Sequence, residues 1–334
     1  MATLRQVAAH AGVSLATAWR VVNGAEHVRP ETRARVERAV RELLYVPAAS
    51  RSEAGMIGLL VPELANPIFP ALAQALETRA AEAGFSSILC NTEGATFREI
   101  DYVHTLLDRR VAGMIFISCE MTNLHGDHSH YGVLAAEGAR LVFVNGALSS
   151  LNVPSVGVDE RVAGEMATQH LLALGHERIG FVAGREHYLP TRLKASGRAS
   201  ALRGAGKPPA ESLVAYQEFS IEGGRAGLGR LLAEPAPPTG VICSSDVIAI
   251  GVLLEAHARG IRVPEELSIV GFDGIDATTW TQPALTTVAQ PIAEIADTAV
   301  RALQALIDEP ETHLPSSYFR PALRIRGSTA PPMS

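Results

Sequence analysis

Asp246 and Asp273 are the carboxylates of this 334-residue chain that acid/base chemistry would recruit, and His125, Asp127, His128 and His130 are the side chains that a zinc or nickel ion would recruit. Both readings have plainer rivals. Asp246 opens an apolar helical run and Asp273 closes a strand-like one, so the first reads as a helix-start carboxylate and the second as an acceptor for ligand hydroxyls. The histidine cluster offers no fixed helical face and no cysteine joins it, so it reads as a polar loop and no metal is expected. Cys90, Cys119 and Cys243 are far apart, odd in number and without a Cys-x-x-Cys pair. They support neither a disulfide framework nor a zinc knot, and they fit a reducing compartment. No Gly-x-Gly-x-x-Gly opens a helix after the run MIGLLV, and neither a Gly-x-x-x-x-Gly-Lys-Ser/Thr loop nor a Gly-x-Ser-x-Gly elbow occurs. Neither catalysis nor a cofactor is expected.

Charge is unevenly placed. Residues 1–52 hold eight arginines and four glutamates, a balance of +4, and the remainder holds 21 basic against 31 acidic residues, a balance of −10. A small basic head on an acidic body suggests a module that faces a polyanion. Within the head, Thr3 and Gln6 have capping-box spacing, and Leu4, Val7, Ala8 and Ala11 recur at helical spacing until Gly12. Ser14 caps a second helix through Asn23, with Gly24 as its stop, and Pro30 opens a third that turns Val36, Val40, Leu43 and Leu44 inward. The break at Gly12 is the turn of a helix-turn-helix, whose second helix offers its N-terminal residues to a major groove.

Length fits two or three domains, and 47% hydrophobic with 19% charged residues predicts a globular chain. The start MATLRQVAAHAG carries no signal-peptide pattern, and no apolar run approaches about 18 residues, so a cytoplasmic protein without a membrane partner is expected. From Met56, MIGLLV, SSILC, GMIFIS and ARLVFV read as buried parallel strands between helices at 70–83 and 96–109, the latter with Thr96 and Glu99 as a capping box. A second series follows: RIGFVA, SLVAY, GVICS and LSIVGF alternate with helices at 163–173, 192–203, 222–232 and 247–259. LTTVAQP, a helix at 292–307 and a strand near 318–325 complete the chain, and crossings between two α/β lobes account for this tail. Ligands of such sheets sit beyond the C-terminal strand edges.

AHAGVSLATAWRVVNG and HVRPETRARVERAVRELLYVP resemble the DNA-binding head of the lactose-repressor (LacI/GalR) family of transcription regulators. IGLLVPELANPIFP, VPSVGVDERVAG, ICSSDVIAIG and ELSIVGFDGID resemble its effector-binding core, which is similar to periplasmic sugar-binding proteins. The resemblance implies an N-terminal three-helix helix-turn-helix domain (1–47), a linker (48–55) and a periplasmic-binding-protein-like core of two doubly wound parallel-sheet lobes (56–334). Lobe 1 is expected at about 56–153 and 285–312, and lobe 2 at about 156–282 and 315–328.

It further implies a homodimer on a near-palindromic double-stranded operator, with Leu15, Ala16 and Arg20 at base-reading positions and Thr17, Asn23 and His27 at phosphates. Arg20 suits guanine O6 and N7, while Leu15 and Ala16 suit thymine methyls. Trp19 stands where the family has a small residue, and both DNA contact and packing remain open for it. The linker is about five residues shorter than the family's hinge segment and lacks its leucine, leaving Arg51 as its candidate contact. For a sugar, sugar acid or sugar phosphate effector, the implied residues are Phe69, Ser118, Asn145, Arg192, Lys194, Phe219, Ser245, Asp246 and Asp273. Lys194 in place of an arginine, Arg198 one turn on, Asn145 in place of an aspartate and Ser245 in place of an asparagine lean toward an acidic ligand. A transport-type sugar-binding protein is the alternative, opposed by the basic head and the absence of an export signal.

Overall fold

The structure is a computed structural model that describes residues 2–25, 27–43, 45 and 55–333. Leu44, Arg51 and most of the proposed linker lie outside the described residues. The chain divides into two compact units, Met1–Gly55 and Met56–Ser334.

In the first unit, α1 (Leu4–Ala11) starts with the capping box of Thr3 and Gln6 and ends at Gly12 in a left-handed conformation, φ 61°. Ser14 caps α2 (Leu15–Val22), and Pro30 occupies the first turn of α3 (Pro30–Glu42), where its missing N–H costs nothing. Val7, Ala8, Ala11, Ala18, Val21, Val36 and Ala39 form the buried centre, with Val13 and Val40 packed at its edge. Arg35 fastens α3 to the turn between the first two helices by donating to the carbonyls of Ala11 (3.0 Å) and Gly12 (2.7 Å).

The second unit contains two six-stranded sheets. Lobe 1 orders its strands β11-β5-β4-β3-β1-β2, from β1 (Met56–Val61), β2 (Ser86–Asn91), β3 (Gly113–Ile117), β4 (Leu141–Val144), β5 (Ser155–Val158) and β11 (Ser317–Phe319). Lobe 2 orders them β12-β10-β9-β8-β6-β7, from β6 (Ile179–Ala183), β7 (Val214–Tyr216), β8 (Gly240–Cys243), β9 (Ser268–Asp273), β10 (Thr286–Ala289) and β12 (Ala322–Arg324). All pairings are parallel except β10 with β12. Helices α4 (Ile68–Glu82), α5 (Thr96–Asp108), α6 (Ser129–Ala136) and α11 (Ile292–Asp308) belong to lobe 1, and α7 (Glu160–Ala173), α8 (Leu189–Gly204), α9 (Ile221–Leu232) and α10 (Asp246–Ala258) to lobe 2. No helix among the described residues is long and apolar enough to cross a membrane.

Strand pairing corrects the lobe boundaries. Residues 155–158 pair in lobe 1 and residues 286–289 in lobe 2, the reverse of the expected assignment, and the single tail strand is two short strands, one in each sheet. The chain therefore crosses at about 159, 290 and 320. Which sheet each of these short strands joins is set by its pairing partner, β4 for β5, β9 for β10, β5 for β11 and β10 for β12, and apolar patterning in three- or four-residue segments does not encode a partner. The capping box at α5 is also corrected: Ala95 is the N-cap, Thr96 is already helical, and Glu99 turns inward. The expected loop at His125–His130 ends in α6, which begins at Ser129.

The C-terminal tail is pinned to lobe 2 through neutral histidines. His176 donates through Nε2 to the Ala330 carbonyl (2.9 Å) and accepts at Nδ1 from Thr239 Oγ1 (2.9 Å), while His170 Nε2 meets Thr329 Oγ1 (3.0 Å). Burial pulls both imidazoles below the usual value of 6.5. Their contribution is thus complete above about pH 6.5 and is lost as the pH falls through the depressed folded values. The melting-temperature advantage of the wild type over a His170→Gln/His176→Gln variant should shrink from pH 8 to pH 5; an advantage that grows contradicts the assignment.

Candidate functional site

The C-terminal strand ends of both lobes open on a cavity of about 410 Å³, within the range of small-molecule sites. Backbone strain concentrates there. Glu93 (φ 52°), Ser118 (φ 47°), Asn145 (φ 55°) and Asp273 (φ 120°) hold left-handed conformations and all line the cavity. Non-glycine residues adopt such angles only where their surroundings fix them, a pattern that favours binding sites. A hydrogen-bonded chain joins the lobes at the floor: Gln290 Nε2 donates to Asp273 Oδ1 (2.8 Å), Asn145 Nδ2 to Gln290 Oε1 (2.9 Å), and the Val158 amide to Asn145 Oδ1 (3.1 Å). Burial, reinforced by the charge of Asp246, holds the Asp273 carboxyl well above the carboxylate range.

Phe69, Ser118, Asn145, Lys194, Phe219, Ser245 and Asp273 all line this cavity. Phe219 lies so close to Gly184 that a Cβ there would meet its ring at 2.0 Å, so the glycine makes room for the plate. Ser245 also caps α10, accepting from the Ile248 amide (3.2 Å). Asp246 is not in the lining. Its carboxylate accepts from Thr287 Oγ1 (2.6 Å) and from the amides of Gly274 (2.6 Å) and Ile275 (2.9 Å), which braces the turn beyond Asp273, and burial pushes it up to about 7. Arg192 is also corrected: it is exposed and outside the cavity, because residues two apart on a helix do not share a face and Lys194 is the one turned inward.

The cations do not support an acidic ligand. Lys194 Nζ sits 2.5 Å from Glu160 Oε2 and 3.8 Å from the centre of the Phe272 ring, with both charged side chains buried. Burial pushes the Glu160 carboxyl up more strongly than Lys194 pulls it down. Arg198 donates to the Ile179 carbonyl (2.8 Å), and its burial lowers it to about 10. Arg185, at the cavity, pairs with Glu218 (2.7 Å). Seven carboxyl side chains, Glu63, Glu93, Glu99, Glu120, Glu160, Glu218 and Asp273, line the cavity, with Asp273, Glu160 and Glu63 raised by burial, and both cations of the lining are already paired, so the lining offers an anion no free cation. Removing Lys194 alone (Lys194→Met) should cost about 3–5 kcal/mol in urea unfolding by leaving Glu160 buried and unpaired. Lys194→Met/Glu160→Gln should recover most of it, and equal losses would contradict the pairing.

Sequence reasoning missed Gln290, Glu160 and Glu99 as cavity residues. Glu99 accepts from Tyr131 Oη and from the Glu120 amide (3.1 Å), and it meets His130 Nε2 (3.1 Å). His128 contacts the Glu120 carbonyl and His125 stacks on His187, so the histidines of the cluster each have separate partners. Among the described residues no group of three side chains is placed to hold a metal. The inward turn of Glu99 had no sequence signal, because its helix periodicity is that of a capping residue.

In the first unit, Leu15 (46% exposed) and Trp19 (57% exposed) form an apolar ridge on α2, with Ala16 and Arg20 exposed beside them. Trp19 therefore is not core. Thr17 Oγ1 bonds Ser14 Oγ (2.9 Å), Asn23 Nδ2 donates to the Trp19 carbonyl (2.9 Å), and His27 is exposed.

Residues 3–48 match the family described as bacterial regulatory proteins, lacI family, and residues 168–329 match a periplasmic binding protein-like domain. Over 332 residues the chain is 41% identical to an uncharacterized HTH-type transcriptional regulator in the aml 5′ region of Streptomyces limosus, covering 98% of this chain and 94% of that one. The chain belongs to the LacI family. This LacI-family chain is also similar in structure to the transcriptional regulator CelR in its cellobiose complex, with a TM-score of 0.75, 30% identity, and coverage of 98% and 100%. The lac repressor dimer bound to operator and the anti-inducer ONPF matches with a TM-score of 0.75, 27% identity, and coverage of 98% and 99%. Family members are DNA-binding transcriptional regulators rather than enzymes, with a helix-turn-helix head and a periplasmic binding protein-like core.

Proposed function

We propose that this LacI-family regulator is a cytoplasmic, homodimeric repressor whose grip on a near-palindromic operator is set by a neutral sugar bound in the cleft. Arg20, Leu15, Ala16 and Trp19 read base edges, while Thr17, Asn23 and His27 hold phosphates. Phe69 and Phe219 flank the ligand and Asp273, Asn145 and Ser118 meet its hydroxyls. The observation that carries the effector's class is the acidic cavity whose two cations are both paired. Carboxylate and amide acceptors with aromatic faces suit vicinal hydroxyls and the C–H faces of a sugar ring. The cellobiose held by the structurally similar CelR makes neutral disaccharides the first candidates.

Thermal shift tests the class. A ligand at a hundred times its Kd stabilises by about 2.7 kcal/mol, which moves the melting point of a domain this size by several degrees. Cellobiose and other neutral mono- and disaccharides should include a stabilising ligand, while gluconate, glucuronate and sugar phosphates should not stabilise. Sugar acids that stabilise more than every neutral sugar contradict the reading.

A further inference from the structure

The lobes also meet at the rim of the cavity, away from their covalent crossings. The crossings lie at the β5/β11 edge of one sheet and the β10/β12 edge of the other, whereas the rim contacts come from the loops after β3 and β6. There the Leu124 amide donates to the His187 carbonyl (2.8 Å), and Asn123 and Tyr188 form an isolated antiparallel β-bridge. The rings of His125 and His187 stack with centroids 5.5 Å apart and planes 17° from parallel, and Tyr188 packs on His187 at 4.8 Å.

Each half is braced by its own lobe. On lobe 1, Asn123 Nδ2 donates to Glu120 Oε1 (2.9 Å), the His125 amide donates to Asn123 Oδ1 (3.1 Å), and a Cβ at Gly126 would strike Glu120 Oε1 at 2.2 Å. The same loop is held from beneath by Glu99 at the Glu120 amide and by Tyr131 Oη, which accepts from the Met121 amide (3.2 Å). On lobe 2, the Tyr188 amide donates to the Arg185 carbonyl (3.2 Å), and Arg185 is fixed by Glu218. Two preshaped loops lose little freedom when they pair, so the contact resists opening by more than its two or three interactions in mobile chains would. Glu120, Thr122, Arg185 and Tyr188 also line the cavity, so this contact and the ligand act on the same lobe-to-lobe geometry.

We propose that residues 123–125 and 187–188 form a protein-only clasp that holds the two lobes closed, so that a ligand shifts an equilibrium already biased by the chain itself. The clasp residues are positioning residues, and their assigned role rests on the cleft being the ligand site. Residues directly opposite in an antiparallel pair have Cα atoms about 4.5–5.5 Å apart, which suits a disulfide. Full-length Asn123→Cys/Tyr188→Cys protein, treated with oxidised glutathione and no sugar, should therefore form the intramolecular disulfide nearly completely, as read by mass and by non-reducing gel. Cys90, Cys119 and Cys243 are buried and do not compete.

Adding Leu124→Pro, which removes the amide donor, should slow this crosslinking about fivefold or more, the factor that one net hydrogen bond gives. The His125→Ala/His187→Ala pair in the same cysteine background should slow it as well, and it guards against misfolding of the proline variant. A cysteine pair that stays reduced, or a rate unchanged by both sets of substitutions, overturns the clasp. Because the crosslinking is run without sugar, its outcome does not depend on that of the sugar screen, and failure of the clasp leaves the ligand class untouched.

Discussion

Arg20→Ala abolishes most discrimination between operator and unrelated duplex while leaving nonspecific binding nearly unchanged. Arg20 projects from the exposed side of α2, and its guanidinium has no hydrogen-bond or ion-pair partner among the described residues. A planar fork with free donors is suited to guanine O6 and N7 together, and such a contact carries about 1–3 kcal/mol of discrimination, or about 5–150-fold, per half-site. Nonspecific binding draws instead on the +4 head as a whole, through phosphates and counterion release, and one charge among eight arginines changes it modestly. Fluorescence anisotropy with operator and scrambled duplexes, each across a salt series, separates the two. An equal loss on both duplexes with a shallower salt slope makes Arg20 a phosphate contact instead.

Asp273→Asn should leave operator binding intact and remove the response to sugar. Asn tolerates the left-handed backbone that Asp273 adopts at φ 120°, so the substitution changes charge more than shape. Gln290 donates to Oδ1, and on the proposed reading the other carboxyl oxygen accepts from a ligand hydroxyl. At a pH high enough to ionise Asp273, a hydrogen bond to the charged acceptor contributes about 1.5–3 kcal/mol, which predicts about 10–150-fold weaker sugar binding for the variant by calorimetry, and a smaller loss where the carboxyl is protonated. A variant that binds and responds like the wild type moves the pocket elsewhere. The raised pKa of Asp273 adds a direction: its carboxylate form becomes populated only as the pH rises well above the usual carboxylate range, so acceptor strength at this position should grow with pH.

The head was legible almost residue by residue because its signals are local. Thr3 with Gln6, Gly12, Ser14 and Pro30 each act within one turn of helix, and each acts there in the structure. Strands MIGLLV and GMIFIS were legible for a similar reason, being apolar runs bounded by turns. What escaped is non-local. SVGV is too short to announce a strand, and its place in lobe 1 depends on pairing with β4 and β11. Glu99 has the spacing of a cap, yet Tyr131 and His130, more than thirty residues away, draw it inward. Lys194 and Arg198 looked like cations for a ligand because Glu160 and the Ile179 carbonyl, which engage them, lie on other elements. Whether a cation is free for a ligand depends on charge pairing, and pairing is a property of the fold.

Coupling of cleft and head in one molecule is tested most directly by titrating labelled operator with a single purified sample, with and without the sugar that gives the largest thermal shift. Saturating sugar should change operator affinity by about 5–150-fold, the range of a coupling of about 1–3 kcal/mol, with no change on scrambled duplex. Superimposable operator curves at sugar concentrations that fully occupy the cleft would contradict the coupling.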